Sequence, residues 1–317
     1  MISFIVRRVL LSVPVFVGAS LALFVLLYVL PGDPAAFVLG DSATPEQLAV
    51  LRHSLGLDRP VVLQYFLWLG RLLHGDLGTS LVNGYPVALL IGQRLPVAIE
   101  LTVGAVIVSV VLGGAGGIYL GLRPFGRLAR VIDVASAVSV AVPVFWLGLL
   151  LQIVVAIKLG WLPAGGYVAM AIDPVRNLRS MVLPCLTLGV GTAAVLARFL
   201  AAGIAETMPR DFVVTAHAKG LPPVRIVVKH VMRNAVIPAV TALGIQLGRL
   251  IGGAVLTEAV FNLPGLGTLL WNALVQRDYF VIQAVTLLAV LGFIVVNLAT
   301  DIAYGVIDPR IRAGAGG

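Results

Sequence analysis

Six long apolar runs divide the sequence, and each is long enough to cross a lipid bilayer as a helix. About 20 apolar residues span the hydrocarbon core, and a helix satisfies its own backbone hydrogen bonds there. Only 11% of the residues are charged, against about 25% in an average soluble domain. The sequence therefore predicts an all-α integral membrane protein with six transmembrane helices. The predicted spans are residues 9–30, 99–122, 134–157, 181–203, 235–257 and 281–304.

The first run has the length of a membrane span and not of a signal peptide. It follows Arg7 and Arg8, and it is longer than the apolar core of a signal peptide, which has about 7 to 15 residues. Pro31, Gly32 and Asp33 follow the run, in place of a small-residue cleavage site. The first span is therefore expected to remain in the mature protein.

The positive charges predict the side of the membrane on which each loop lies. Lys and Arg number 22 and Asp and Glu 14, which gives a formal charge of +8. Long apolar runs separate these charges and aromatic residues make up only 7%, which favours membrane lipid over nucleic acid as a partner. Arg123, Arg127 and Arg130 crowd one short loop. The positive-inside rule places that loop and both termini in the cytoplasm.

The segments between the spans set the predicted domain organisation. The longest predicted cytoplasmic connection is 204–234. In the first external segment, Asp76, Gly78 and Ser80 are expected to cap and turn the chain. The predicted divisions are residues 1–30 for the N-terminal end and first helix, 31–98 for a large external segment, 99–310 for a five-helix core and 311–317 for a cytoplasmic tail.

The residues needed for several kinds of chemistry are missing from the sequence. None of Lys158, Lys219 and Lys229 stands in a Gly-Lys-Ser/Thr tripeptide, so no P-loop is present and ATP coupling would require a partner. The four histidines lack metal-ligand spacing, and Cys185 is expected to serve packing. No catalytic or metal site is predicted, and this chain is expected to bind no cofactor.

Polar residues near the spans are scattered instead of paired. A membrane enzyme would gather such residues in one site, and an ion-driven secondary transporter would pair carboxylates near the middle of the membrane. These two functions remain alternatives to a path or a helix contact. The residues concerned are Glu100, Asp133, Arg198, Arg249, Asn297 and Asp301.

Glycines and prolines within the spans predict details of helix packing. Gly113, Gly117 and Gly121 repeat every four residues, a spacing that lets two helices approach closely. Four prolines are expected to kink or interrupt their helices, because proline lacks the amide hydrogen. They are Pro14, Pro143, Pro184 and Pro238.

The cytoplasmic segment 209–240 predicts a short helix, a sharp turn and a second helix. Asp211 suits a first helical turn, and Gly220 followed by Pro222 and Pro223 must end that helix. A basic amphipathic helix on the membrane surface is the alternative. The expected apolar side of the first helix consists of Phe212, Val213, Ala216 and Ala218.

This segment resembles the cytoplasmic EAA loop of bacterial ABC importer permeases, in the form typical of dipeptide and oligopeptide permeases. That form has a T-A-x-A-K-G-L core, found here at 215–221, followed by R-N-x-x-x-P, found at 233–238. The sequence departs from this pattern at two positions: Val214 stands where the general loop has Glu, and His217 stands at the position of a basic residue common in the peptide group.

The resemblance extends over the whole chain and is specific to the first permease subunit of that family. Its strings keep the order and the predicted membrane side of the family's motifs. They are PGDPA at 31–35, LGLDRP at 55–60, QYFLWL at 64–69, GDLGTSL at 75–81, EAVFNLPGLG at 258–267, RDY at 277–279 and DPRIR at 308–312.

The resemblance implies a type I ABC importer fold in the bacterial inner membrane. It implies a second permease, two ATP-binding subunits that hold ATP and Mg, and an extracytoplasmic peptide-binding protein that docks on the periplasmic segment 31–98. The expected substrate is a di- or oligopeptide, with nickel, glutathione or another small solute as alternatives. The residues expected to couple this chain to an ATPase are Asp211, Phe212, Thr215, Ala216, His217, Ala218, Lys219, Gly220 and Leu221.

A peptide path must be partly polar, because the substrate brings charges and amide groups. Candidates for lining this path are Arg198, Gln246, Arg249, Glu258, Asn297 and Asp301. Hydrogen bonding between helices is the alternative role of each of these side chains.

Overall fold

The computed structural model describes residues 2–29, 43–56 and 58–307. In these ranges the regular secondary structure is helical, apart from an isolated antiparallel bridge between Thr79 and Pro86. This confirms the predicted all-α class. The motifs at 31–35 and 308–312 and the predicted tail at 311–317 lie outside the described residues.

The helices are numbered here in chain order. They are α1 Ile2–Val29, α2 Pro45–Leu55, α3 Val61–Leu73, α4 Val87–Leu122, α5 Arg127–Ala141, α6 Val144–Leu151, α7 Pro174–Thr207, α8 Asp211–Ala218, α9 Pro223–Ile226, α10 Met232–Phe261, α11 Leu266–Val275 and α12 Tyr279–Ile307. Two π-helical turns, Gln152–Lys158 and Val227–Val231, continue α6 and α9.

Five of the described helical stretches are long and apolar enough to cross a membrane, and seven if each of two bent helix pairs counts as one span. The six predicted spans fall within that range. The five stretches are Ile5–Leu26, Val87–Leu122, Pro174–Thr207, Pro223–Gly248 and Tyr279–Ile302.

The third predicted span is broken. Residues 134–157 do not form one helix, because Arg127–Ala141 and Val144–Lys158 meet at a bend of 113°. Val142 adopts extended backbone angles immediately before Pro143, as expected where the proline ring clashes with a helical predecessor. The other prolines expected to disturb helices, Pro14, Pro184 and Pro238, lie inside helices that continue through them.

The described residues form two compact units. The first comprises the described parts of Met1–Arg8, Val97–Pro264 and Val295–Gly317, and the second comprises those of Val9–Pro96 and Gly265–Ile294.

In the second unit an apolar core joins α1, α3, α4 and α12. Phe24 and Tyr65 meet edge to face with ring centroids 5.5 Å apart, and the Ser20 hydroxyl lies 3.0 Å from the Tyr65 hydroxyl. Asp76 accepts the Gly78 amide at 2.9 Å, and the buried Ser80 hydroxyl donates to the carboxylate of Asp278. The Ser80 hydroxyl oxygen also accepts the amides of Val82 and Asn83 at 3.3 Å, so the predicted turning roles of Asp76 and Ser80 are confirmed.

In the first unit α4 approaches α7 through its glycines. A Cβ at Gly113 would lie 2.6 Å from the Ala193 carbonyl oxygen, and one at Gly117 would lie 2.8 Å from that of Ala197. These distances leave no space for a side chain, so the prediction of close packing is confirmed. Gly114, one residue from Gly113, has open space instead.

Candidate functional site

The cytoplasmic segment folds as a helix, a turn and a second helix, as predicted. α8 begins at Asp211, and the Thr215 hydroxyl donates to the Asp211 carbonyl at 2.8 Å. Gly220 ends the turn with a φ of 69°, a left-handed conformation that glycine adopts without strain. Pro223 then begins α9, where its missing amide hydrogen costs nothing. Residues 211–221 are called the coupling segment below.

The inner face of the coupling segment packs against the α9 region, in an apolar cluster that also includes residues of α7 and α10. Val213 and Ala216 are buried in it. They belong to a cluster with Leu196, Leu200 and Ile204 of α7, Ile226 and Val231 of the α9 region, and Ala235 and Ala239 of α10. The cluster therefore connects α8, through the α9 region, to residues of both long helices.

Beneath this cluster the backbones of α7 and α10 nearly touch. A Cβ at Gly203 would lie 3.0 Å from the Ala235 Cα and would collide with the Ala235 carbonyl oxygen. The Thr207 hydroxyl donates to the Gly203 carbonyl at 2.7 Å. The two helices thus form a rigid base for the coupling segment.

The predicted apolar side of α8 is wrong for two of its four residues. Phe212 is 39% exposed, and Ala218 is also exposed. A helix of 3.6 residues per turn places Ala218 roughly 140° from Val213 around the axis, and Phe212 roughly 100° from it. Only Val213 and Ala216 face the base.

The outer face of the coupling segment is exposed and carries most of the predicted coupling residues. Of these residues, Ala216 is buried on the inner face and Leu221 is half-buried. The exposed ones are Asp211, Phe212, Thr215, His217, Ala218, Lys219 and Gly220. Val214, which sequence reasoning treated only as a departure from the family pattern, joins this face with 60% of its surface exposed.

The predicted path residues occupy several environments. Arg198 lies 3.5 Å from Asp133, and Asp301 lies 2.8 Å from Arg8, so both make ion pairs with residues of other helices. Glu258 is 1% exposed. Gln246 is half-buried and Asn297 exposed, while the Arg249 side chain lies outside the described residues. Their assignment to a path stays a prediction.

A polar cluster that the sequence did not indicate surrounds the segment 159–173, called the strap below. Glu100 of α4 accepts the Tyr167 hydroxyl at 3.0 Å and the Asn177 amide nitrogen at 2.8 Å. The same nitrogen of Asn177 donates to the Val168 carbonyl at 2.8 Å. Burial and the bond to Glu100 raise the pKa of Tyr167 to about 12, so its hydroxyl remains a donor at neutral pH.

The strap also binds the end of α10. Gly166 donates its amide to the Phe261 carbonyl at 2.8 Å, and Gln152 donates to the carbonyls of Ala164 at 2.6 Å and Val260 at 3.3 Å. A Cβ at Gly165 would collide with the Phe261 carbonyl oxygen. Within the described residues, no group of three or more His, Cys, Asp or Glu side chains is placed to hold a metal ion.

Two family models cover the chain. The model described as "Binding-protein-dependent transport system inner membrane component" matches residues 113–313, and a model for the N-terminal part of such membrane components matches residues 1–102. The chain belongs to this family of transport permeases. The resemblance seen in the EAA loop and in the other motifs is thereby confirmed.

Relatives of this permease belong to peptide-type ABC transporters. The probable peptide ABC transporter permease protein y4tP of Sinorhizobium fredii is 38% identical over 309 residues, covering 98% of this chain and 99% of the relative. The glutathione transport system permease protein GsiC of Escherichia coli is 39% identical over 315 residues, covering 98% and 99%. The chain is thus an ABC importer permease of the peptide and glutathione type.

A solved structure shares the fold of this permease. The inward-facing MetNI methionine ABC transporter matches with a TM-score of 0.55 and 20% identity, covering 70% of this chain and 98% of that chain. The match confirms the predicted type I importer fold. As a transport permease the chain is not an enzyme, in agreement with the sequence.

Proposed function

We propose that this permease forms one half of the membrane path of an ATP-driven importer for di- and oligopeptides. A second permease would form the other half, two ATP-binding subunits would hold ATP and Mg in the cytoplasm, and an extracytoplasmic binding protein would deliver the peptide. The relative named as a peptide permease supports this substrate class. The path would include polar residues such as Arg198 and Gln246.

The two faces of α8 carry the proposal that the coupling segment transmits ATPase movement. Its inner face is buried against α7 and α10, and its outer face presents Phe212, Val214 and Lys219. A short helix fixed on one side and free on the other can dock on a moving partner and shift two long helices together. Residues 211–221 would therefore lie against an ATPase subunit.

The proposed orientation places both termini in the cytoplasm. The ion pair between Arg8 of α1 and Asp301 of α12 joins the beginning of the first predicted span to the end of the last, which suits an even number of crossings. The Arg123–Arg130 loop would then lie on the cytoplasmic side, near anionic lipid headgroups.

The coupling role is tested with the assembled importer in lipid vesicles. Lys219→Glu reverses a charge on the outer face, and Gly220→Val strains the turn at its positive φ. Both variants are expected to retain the second permease but to lose ATPase subunits and ATP-driven uptake. Arg59→Glu, an exposed charge reversal in the segment predicted to be periplasmic, is the matched control for ATPase binding. Unchanged uptake in both coupling variants would refute this role.

Glutathione is the second candidate substrate, because a relative of 39% identity is named as a glutathione permease. Glutathione is itself a modified tripeptide, so one path chemistry would suit both. Uptake of labelled dipeptide, tripeptide and glutathione by the same vesicles, with the copurified binding protein, separates the two candidates. Uptake of glutathione alone would exclude the general peptide assignment.

A further inference from the structure

Hydrogen bonds attach the strap to three helices of the first unit, α4, α7 and α10. Tyr167 binds α4 through Glu100, Val168 binds α7 through Asn177, and Gly166 binds α10 through Phe261. The Arg179 guanidinium of α7 adds a bond to the Trp161 carbonyl at 3.1 Å. The strap is therefore a bridge between separate helices and not a free loop.

Two of these helices also hold the coupling segment at their other ends. α7 begins at Pro174, directly after the strap, and contributes Ile204 near its other end to the coupling cluster. α10 begins at Met232, contributes Ala235 to that cluster, and ends at Phe261 beside the strap. At 1.5 Å per residue the helices are about 51 and 45 Å long. A movement of the coupling segment thus has a direct mechanical route to the strap.

Glu100 closes the ring of bonds between α4, the strap and α7. One of its carboxylate oxygens accepts from the strap and the other from α7. The side-chain amide nitrogen of Asn177 also donates to the Val168 carbonyl of the strap, and Asn177 is buried. The carboxylate accepts both donors in charge-assisted hydrogen bonds, whereas a glutamine at this position could offer only weaker neutral bonds.

We propose that Glu100 is a positioning residue that ties the strap to α4 and α7, so that movement of the coupling segment changes the strap at the far end of these helices. This inference rests on the proposed function of the coupling segment. Directional hydrogen bonds make the strap follow the relative position of the helices, because they weaken steeply when their angle changes. The strap would thereby open or close the external end of the path in step with ATP binding.

The test places one fluorescent reporter on the strap and another near the coupling segment of the assembled importer in vesicles. Ile172, 79% exposed, and Val228, 66% exposed, are replaced by cysteine in separate samples. The chain has a single cysteine, Cys185, and it is buried, so the new thiols are its accessible labelling positions. Both reporters are expected to change emission when ATP and Mg are added.

Three substitutions loosen the strap from different sides. Glu100→Gln replaces a charged acceptor by a neutral amide and so weakens the bonds to Tyr167 and Asn177. Tyr167→Phe removes the bond between the strap and α4, and Gly165→Ala pushes the strap away from α10. Each should reduce the strap signal at least about fivefold, the lower range of typical coupling between sites, and should leave the signal at Val228 intact. Gly165 contacts α10, whereas Glu100 belongs to α4, so a shared effect would show that both attachments of the strap matter.

Matched controls separate positioning from general stability. Thr187→Val removes a buried hydroxyl that donates only within α7, to the Leu183 carbonyl at 2.8 Å. Gly114→Ala adds a methyl group where the structure has open space. Both controls should keep the strap signal, and melting temperatures identify any variant whose fold is lost.

The outcomes distinguish this inference from the proposed function. An undiminished strap signal in folded Glu100→Gln, Tyr167→Phe and Gly165→Ala importers would overturn the inference. The inference would also be overturned if, in the parent importer, ATP and Mg changed the emission of the Val228 reporter but not that of the Ile172 reporter. The proposed coupling function would stand in that case. If neither reporter responds in the parent, the coupling function itself fails.

Discussion

The coupling segment and the strap lie at opposite ends of α7 and α10 and are held by different combinations of interactions. Val213 and Ala216 hold the coupling segment by apolar packing. The strap combines apolar contacts of Leu162 and Tyr167 with hydrogen bonds to Glu100, Asn177 and Phe261. Apolar burial is non-directional and tolerates small rotations, whereas hydrogen bonds depend on geometry.

In the proposed function, the coupling segment would dock on an ATPase subunit, and the strap at the other end of α7 and α10 would change its hydrogen bonds when these helices move. The packed cluster would pass force from the outer face of α8 into both long helices, because protein interiors resist compression. The directional bonds of the strap would break or re-form when those helices shift. Substitutions in the buried cluster at the coupling end should therefore lower the melting temperature of the permease. Substitutions at the strap should mainly reduce the change in strap fluorescence that follows ATP addition.

The largest effect is expected where the two helices meet below the coupling segment. Gly203→Val places a branched side chain against the Ala235 backbone, and overpacking of this kind costs about 3 kcal/mol. We expect a lower melting temperature of the purified permease and loss of uptake. Gly114→Ala is the control, and a Gly203→Val protein with normal stability would show that the helix contact is dispensable.

A substitution on the buried face of α8 should destabilise the permease more than the same substitution on its exposed face. Val213→Ala removes two methyl groups from the apolar cluster, at a cost of about 2 kcal/mol. Val214→Ala makes the same chemical change at a position 60% exposed. We expect the first variant alone to unfold at lower temperature and the second alone to keep stability but bind the ATPase less tightly. Equal melting temperatures would contradict the two-faced description of α8.

At the strap, a smaller loss of stability should accompany a clear dependence on pH. Tyr167→Phe removes one hydrogen bond, worth about 1 kcal/mol. The pKa of Tyr167 is raised to about 12 by burial and by Glu100, so the protonated hydroxyl stabilises the fold fully below its ordinary pKa near 10. That contribution is lost as pH rises from about 10 toward 12. Thermal melts across this range should show the parent losing its advantage over Tyr167→Phe.

An ultraviolet absorbance titration gives an independent measurement of the same group. Subtracting the Tyr167→Phe titration from that of the parent isolates the ionisation of this tyrosine. A midpoint near the ordinary value of about 10 would mean that the hydroxyl is neither buried nor bound to Glu100 in solution.

The coupling end was predictable from the sequence to a degree that the strap was not. Gly220 and Pro222–Pro223 act on the adjacent backbone, so the helix, the turn and the second helix follow from local rules. Which side of α8 is buried depends on α7 and α10, and the placement of Phe212 and Ala218 was therefore wrong. Glu100 meets partners 67 and 77 residues away, a relation that no local pattern encodes.

The proline predictions also show that contacts between distant parts of the chain are not encoded by local sequence. Pro143 ends a helix and Pro184 does not, although both lack the amide hydrogen. Whether a helix continues through proline depends on the groups that satisfy the freed carbonyl, and neighbouring helices supply them. Hydropathy located the apolar stretches but not their continuity. The third predicted span is bent by 113°, and the fifth, predicted at 235–257, corresponds to an apolar helical stretch at Pro223–Gly248.

The smallest effect is expected for a polar pair at the coupling end. Glu206 and Arg210 lie 2.7 Å apart on exposed side chains, and such pairs contribute about 0.3 to 0.5 kcal/mol. Glu206→Gln should therefore leave the melting temperature, ATPase binding and strap signal nearly unchanged, whereas Glu100→Gln, the same chemical change at the strap, should abolish most of the response. Salt should reduce even the small effect of Glu206→Gln, because both side chains are open to ions. If the two substitutions had equal effects on the strap signal, polar bonds would act alike at both ends, and the division into a packed base and a hydrogen-bonded strap would not hold.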